Sequence, residues 1–156
     1  MYYLIPIGII VFVVLGFLIL SRLEKKHLNQ MKDEYLHLLS NYGSLEHKEG
    51  TILFHMQNKT IEILFFVLKM NEELVINSRV MWEVFRAQKA MLYDQTEFLK
   101  SDIDKWIIVY PSILKIKRFI NENEMVFVKH KDPIYDYQLI LAIDLEDYLE
   151  DLKHGI

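Results

Sequence analysis

The six histidines, His27, His37, His47, His55, His130 and His154, have the widest chemical range in this chain. Histidines ligate metal ions in pairs on one face of an element, as in H-x-x-x-H or H-E-x-x-H. None of the six has such a partner. His55 falls in an alternating segment, on the face opposite Ile52 and Phe54, where a solvent-facing or hydrogen-bonded histidine belongs. Two carboxylates and a lysine on adjacent strands can hold a metal and support an attacking water. Glu62 and the pair Glu72-Glu73 qualify as carboxylates, but none has a lysine two residues later, and Lys69 stands alone. Ser112 follows a strand-like run, yet its context, Tyr110-Pro111-Ser112-Ile113, lacks the tight glycines of a nucleophile elbow. It suits a helix cap better. The glycines, Gly8, Gly16, Gly43, Gly50 and Gly155, form no phosphate loop. There is no cysteine, hence no thiol chemistry, disulfide or lipoprotein attachment point. The sequence therefore names no catalytic, metal or cofactor-binding residue.

Two charged regions are candidates for binding. Lys115, Lys117 and Arg118, together with Lys129, His130 and Lys131, are read as a basic patch for contact with anionic lipid headgroups or a partner. An ordinary solvated face is the bland alternative. The net charge of -4 argues against nucleic acid. The acidic end, Asp144, Glu146, Asp147, Glu150 and Asp151, suits the first turns of a solvated helix, where the macrodipole favours anions. Asp132-Pro133-Ile134-Tyr135-Asp136-Tyr137 is an aromatic-rich connection between two strands.

The elements that position these residues follow from hydrophobic pattern. Residues 2–20 carry no charge and no Asn or Gln, and as a helix would reach about 28 Å, close to a bilayer core. They predict an uncleaved, single-pass signal anchor. Arg22, Lys25 and Lys26 follow it, so the positive-inside rule places the N-terminus outside and the C-terminal domain in the cytoplasm, at the cell membrane. Leu28, Met31, Tyr35, Leu38 and Tyr42 form one stripe of a juxtamembrane helix, packed on its own domain or forming a short dimerising stalk. Gly43 reads as a left-handed cap.

Thr51–Gln57, Ile61–Leu68 and Leu74–Ile76 predict an antiparallel three-strand meander, with a two-residue turn at Asn58-Lys59. Val80–Leu92 has helical spacing, interrupted by Gln88. A second short helix starts at Gln95, after the capping residues Asp94-Gln95-Thr96-Glu97. Trp106–Tyr110 is a buried strand stopped by Pro111, and Ser112 caps a helix to Ile120. A turn at 121–124 precedes strands at 125–128 and 137–143, and Asp144 caps the last helix.

The expected fold is α+β: a transmembrane helix and then a mixed-sheet domain in the order α-βββ-α-α-β-α-β-β-α. Its boundaries are anchor 1–21, juxtamembrane helix 22–42 and cytoplasmic domain 43–156. The run of helix, three-strand meander, helix and strand resembles the core of restriction-endonuclease-like nucleases. That resemblance implies a metal-dependent site on the meander, but the matching residues Glu62, Glu72 and Glu73 lack the paired lysine. The function expected is non-catalytic binding or scaffolding beside the membrane, with a protein partner or a second copy. The alternatives are a tethered nuclease or hydrolase with a nonstandard site, and a peripheral module for anionic lipid.

Overall fold

The computed structural model describes residues 4–48, 50–111, 116–121, 124–128 and 133–154, without the side chains of 4–9, 11, 121 and 133. The chain forms two compact units, divided after Glu34.

The first unit is the leading part of one helix, α1, Leu4–Ser40. Among the described residues no helix is long and apolar enough to cross a membrane. The continuous run of described apolar side chains is 12–20, about 13 Å of helix against a bilayer core of about 30 Å. Of the rest of the expected anchor, only the side chains of Ile10 and Ser21 are described. The expectations of a transmembrane helix, a signal anchor and a single-pass membrane protein are corrected on this finding. The side chains of Phe12, Phe17 and Leu20 are exposed.

The second unit is a mixed α+β domain with two sheets. The six-stranded sheet holds β1 (Ser44–Lys48), β2 (Thr51–Met56), β3 (Lys59–Leu68), β7 (Asp104–Pro111), β10 (Pro133–Ile134) and β11 (Tyr137–Leu141). The five-stranded sheet holds β4 (Glu72–Ile76), β5 (Met81–Arg86), β6 (Lys89–Asp94), β8 (Ile116–Asn121) and β9 (Glu124–Phe127). Their strand orders are β1-β2-β3-β7-β11-β10 and β6-β5-β4-β8-β9. The pairs β3–β7, β7–β11 and β4–β8 are parallel, and all others are antiparallel.

The chain passes from the six-stranded to the five-stranded sheet twice. β3 leads to β4 through a turn held by Glu72, whose amide donates to the Lys69 carbonyl and whose carboxylate accepts from the Lys69 amide at 2.9 Å. β7 leads to β8. One core joins both sheets: Phe66 and Leu68 of β3, Leu74 and Ile76 of β4, Trp82 of β5 and Ile107 of β7 are all buried in it. Each such side chain contributes about 1.5–3 kcal/mol by leaving water. The other face of the six-stranded sheet carries Phe54 and Trp106, in ring contact with a centroid separation of 5.7 Å. Helix α2, Leu145–His154, stacks Tyr148 edge-on against Trp106 at 5.3 Å and buries Leu145 and Leu149. Tyr42, just past α1, donates to Glu150 of α2 at 3.3 Å.

Several expected elements differ. Val80–Leu92 is not a helix but the β5–β6 hairpin. Trp82 and Val84 alternate into the core, and the chain reverses at Ala87, whose φ is 55°. The helix after the meander, on which the nuclease resemblance rested, is therefore absent. Gln95 starts no helix; a single 3₁₀ turn follows, Phe98–Lys100. The described part of the expected helix 112–120 is β8. The third meander strand leaves its neighbours for the second sheet, and β1 was not expected. The first two-residue turn is Gln57-Asn58, one residue early, because β2 pairs Met56 with Lys59. Asn121 and Glu124 are paired ends of a hairpin whose residues 122–123 lie outside the description.

Gly43 is not a left-handed cap; the positive-φ glycine among the described residues is Gly50. A Cβ on Gly43 would stand 2.2 Å from the His55 carbonyl oxygen and 2.7 Å from the Phe54 ring. The glycine lets β2 pass close by the end of α1. Gly43→Ala is expected to cost about 1–3 kcal/mol, since a rigid backbone must yield. A urea titration of the full chain with unchanged midpoint would show that β2 moves aside freely.

Candidate functional site

Alternation sorts the five-stranded sheet into two faces. Leu74, Ile76, Trp82, Val84 and Ile116 enter the core, so Glu73, Val75, Glu83, Phe85 and Lys117 take the other face. The register then aligns one row across all five strands. Leu92 of β6 is opposite Glu83 of β5, Glu83 opposite Val75 of β4, Val75 opposite Lys117 of β8, and Lys117 opposite Phe127 of β9. At the two ends, Leu92 and Phe127 are each 62% exposed. Phe85 and Met125 add further exposed apolar surface to this face.

The centre is built differently. Val75 is 2% exposed although it faces away from the core between the sheets. Lys117 Nζ donates to Glu73 Oε1 at 2.8 Å, with both side chains about three-quarters shielded. The same ammonium lies 5.2 Å from the centre of the Phe127 ring, a cation–π distance. Glu83 makes no ion pair among the described residues. The face is thus an apolar and aromatic rim around a few ordered charges.

Of the basic residues read from the sequence, Lys117 sits on this face. Arg118, the next residue of β8, pairs with Ile76 and takes the opposite face. In a helix the two would stand about 100° apart and could belong to one patch; in a strand they point to opposite faces. Lys115, Lys129 and Lys131 lie outside the described residues, as does His130.

A second polar cluster lies in the other sheet. Parallel pairing of β3 with β7 places Glu62 beside Lys105. The Lys105 ammonium donates to both Glu62 and Ser101, and the Ser101 hydroxyl donates to Glu62 at 2.9 Å. The Phe98 ring lies 5.2 Å from Lys105 Nζ. A groove of about 390 Å³ opens over this cluster, between Thr51 and Leu53 on one side and Lys100 and Ser101 on the other. Serine beside lysine is the pairing of some acyl-transfer nucleophiles, in which the lysine takes the hydroxyl proton. Here Lys105 gives its protons to the hydroxyl and the carboxylate, so its arrangement is that of a structural ion pair.

The three carboxylates of the nuclease-like alternative are occupied elsewhere. Glu62 meets Lys105, Glu72 holds a turn, and Glu73 meets Lys117. Among the described residues no group of three or more His, Asp or Glu is placed to hold a metal ion. His55 reaches Thr60 at 3.1 Å and Glu46 at 3.3 Å, on the β1–β3 surface.

One further pair ties loops together. Arg79 donates to Asp136 through Nε at 2.8 Å and to the Leu99 carbonyl through Nη2 at 3.0 Å. The guanidinium holds the Asp136 carboxyl below its ordinary range. Burial pushes the neighbouring Tyr137 phenol up.

Two predictions follow from these pairs. The side chains of Lys105 and Glu62 are 2% and 12% exposed, so removing one partner leaves a buried charge. Lys105→Met is expected to cost about 3–5 kcal/mol, and the double change Glu62→Leu with Lys105→Met to recover most of it. Urea midpoints of the three variants check this; additive losses would mean the pair is not coupled. For Asp136 the folded carboxyl titrates lower than the unfolded one. Its contribution is present above the ordinary carboxylate value of about 4 and is lost as pH falls through the depressed folded value. The stability gap between the natural chain and Asp136→Asn should therefore be largest near neutrality and close on acidification. A gap independent of pH would remove the Arg79 pairing as its cause.

Comparison with protein-family models, with curated proteins and with solved structures finds no match to this chain.

Proposed function

We propose that this chain is a binding module that works through the outer face of its five-stranded sheet and performs no chemistry of its own. One observation carries the reading. Leu92, Phe85, Met125 and Phe127 leave apolar surface exposed on one face, around the half-buried pair Lys117–Glu73. Exposed aromatic side chains and methionine gathered on one face are the composition of protein-binding surfaces. The groove over Ser101 supports a hydrolase less well, because its lysine is tied to Glu62.

The chain has no cysteine, so each introduced one is a unique label. Leu92→Cys and Phe127→Cys are to be treated with a membrane-permeant maleimide in intact cells producing the full chain, and again after denaturation. Met70→Cys, in the turn between β3 and β4, is the exposed control. Cysteines on the face should react at least about tenfold more slowly in cells than in the denatured chain, as expected for side chains covered by a bound partner. The control should react at one rate in both. Equal rates at all three positions would refute a working interface on this face.

A further inference from the structure

The row that crosses the face has an order that its composition does not reveal. From one edge to the other it reads Leu92, Glu83, Val75, Lys117, Phe127. It is apolar, acidic, apolar, basic, apolar, with Val75 at the middle on the central strand. Adjacent strands are about 4.8 Å apart, so Glu83 and Lys117 stand at equal distances on either side of β4.

We infer that the partner of this face is a second copy of the chain, docked about a two-fold axis that runs along β4. Such a rotation carries each position in the row to the mirrored position on the facing sheet. Glu83 of each copy then meets Lys117 of the other, twice by symmetry. Leu92 meets the Phe127 ring, also twice, and the axis passes over Val75, which is already covered within its own chain. The inference rests on the binding-face reading above and names its occupant.

The monomer supplies the charges for this arrangement. Lys117 neutralises Glu73 within its own chain, while Glu83 has no ion-pair partner among the described residues. Glu73, also on β4, faces its own copy near the axis, and each is held by its Lys117. Lys117 then stands between Glu73 of its own chain and Glu83 of the other. A face five strands wide and about 17 Å along the strands buries on the order of 1,000 Å² in total, at the low end for a specific interface. The dimer is accordingly one that forms and dissociates with concentration.

The exposed apolar side chains of α1 give the chain a second way to associate, so the test reads the charge order. Full chain is measured by sedimentation in a mild non-ionic detergent. Glu83→Lys and Lys117→Glu are each expected to weaken self-association at least about tenfold, by setting like charges opposite one another. Mixing the two single variants should restore association, because every facing pair is then opposite in sign. The double variant should restore it too. Glu83→Lys breaks no pair within the chain, so it carries the test if Lys117→Glu does not fold. A bis-maleimide about 8 Å long should join Leu92→Cys to Phe127→Cys in a mixture of the two, and not Leu92→Cys to itself, because packed sheets lie about 10 Å apart.

Self-association unmoved by both single variants, or no rescue on mixing two folded ones, overturns the two-fold arrangement. Absence of any self-association overturns it as well. If Leu92→Cys and Phe127→Cys stay protected in cells but react freely in the purified chain, the inference fails while the binding face stands, its occupant being another protein or a lipid surface. If they react freely in both, the binding reading itself has failed.

Discussion

The parallel pairing of β3 with β7 is the contact on which the rest of this domain depends. The two strands lie side by side in one sheet, and each then leaves it for the other, as β4 and β8, which are again parallel neighbours. A parallel pair needs a long connection, and here that connection is the whole of β4, β5 and β6 with the turn at Phe98–Lys100. The second sheet is therefore built largely from the crossover of the first. The two parallel pairings set the two polar clusters: β3–β7 places Glu62 against Lys105 in the first sheet, and β4–β8 places Val75 against Lys117 in the second.

This dependence separates what could be read from the chain from what could not. β2, β3, β7 and α2 are legible because their burial pattern is local: Ile52, Phe54 and Met56 alternate, and Ile107, Ile108 and Val109 are buried on both faces. The β5–β6 hairpin is ambiguous in the sequence because Met81, Val84, Phe85, Met91 and Leu92 fit a 3.6-residue period as well as they fit a hairpin. The turn between them, Ala87-Gln88, carries none of the Asn-Gly chemistry that marks a hairpin. Ala87 holds φ at 55° there, a cost offset by Trp82 and Val84 of β5 and Tyr93 of β6 packing on the core.

The candidate face was legible at one residue. Lys117 stood out in a basic cluster, but the cluster was read on a helix, where Lys115, Lys117 and Arg118 group differently. The residues that surround Lys117 come from β4, β5, β6 and β9. Glu73, Glu83, Leu92 and Phe127 are brought together by register across strands, which no local pattern records. The same is true of Glu62, Ser101 and Lys105, whose ion pair joins residues 43 apart in sequence. Sequence spacing finds sites built on one element; it misses sites built across a sheet.

The order of charges on the face limits how two copies could meet. An axis lying across the strands would return each residue of the row to itself, setting Glu83 against Glu83 and Lys117 against Lys117. An axis moved one strand toward β5 sets the two Glu83 residues together, and one strand toward β8 sets the two Lys117 residues together. Along β4 alone do both acid–base contacts form. Like charges face to face cost several kcal/mol, whereas opposed and partly solvated charges gain little. In a two-copy arrangement about β4 the row would act mainly by excluding the other alignments, each Glu73 at the axis being neutralised by its own Lys117. Under that proposal the affinity would come from Leu92, Phe127 and the apolar surface beside them, the large exposed residues of this face, while its charges, nearer the middle, would set the alignment.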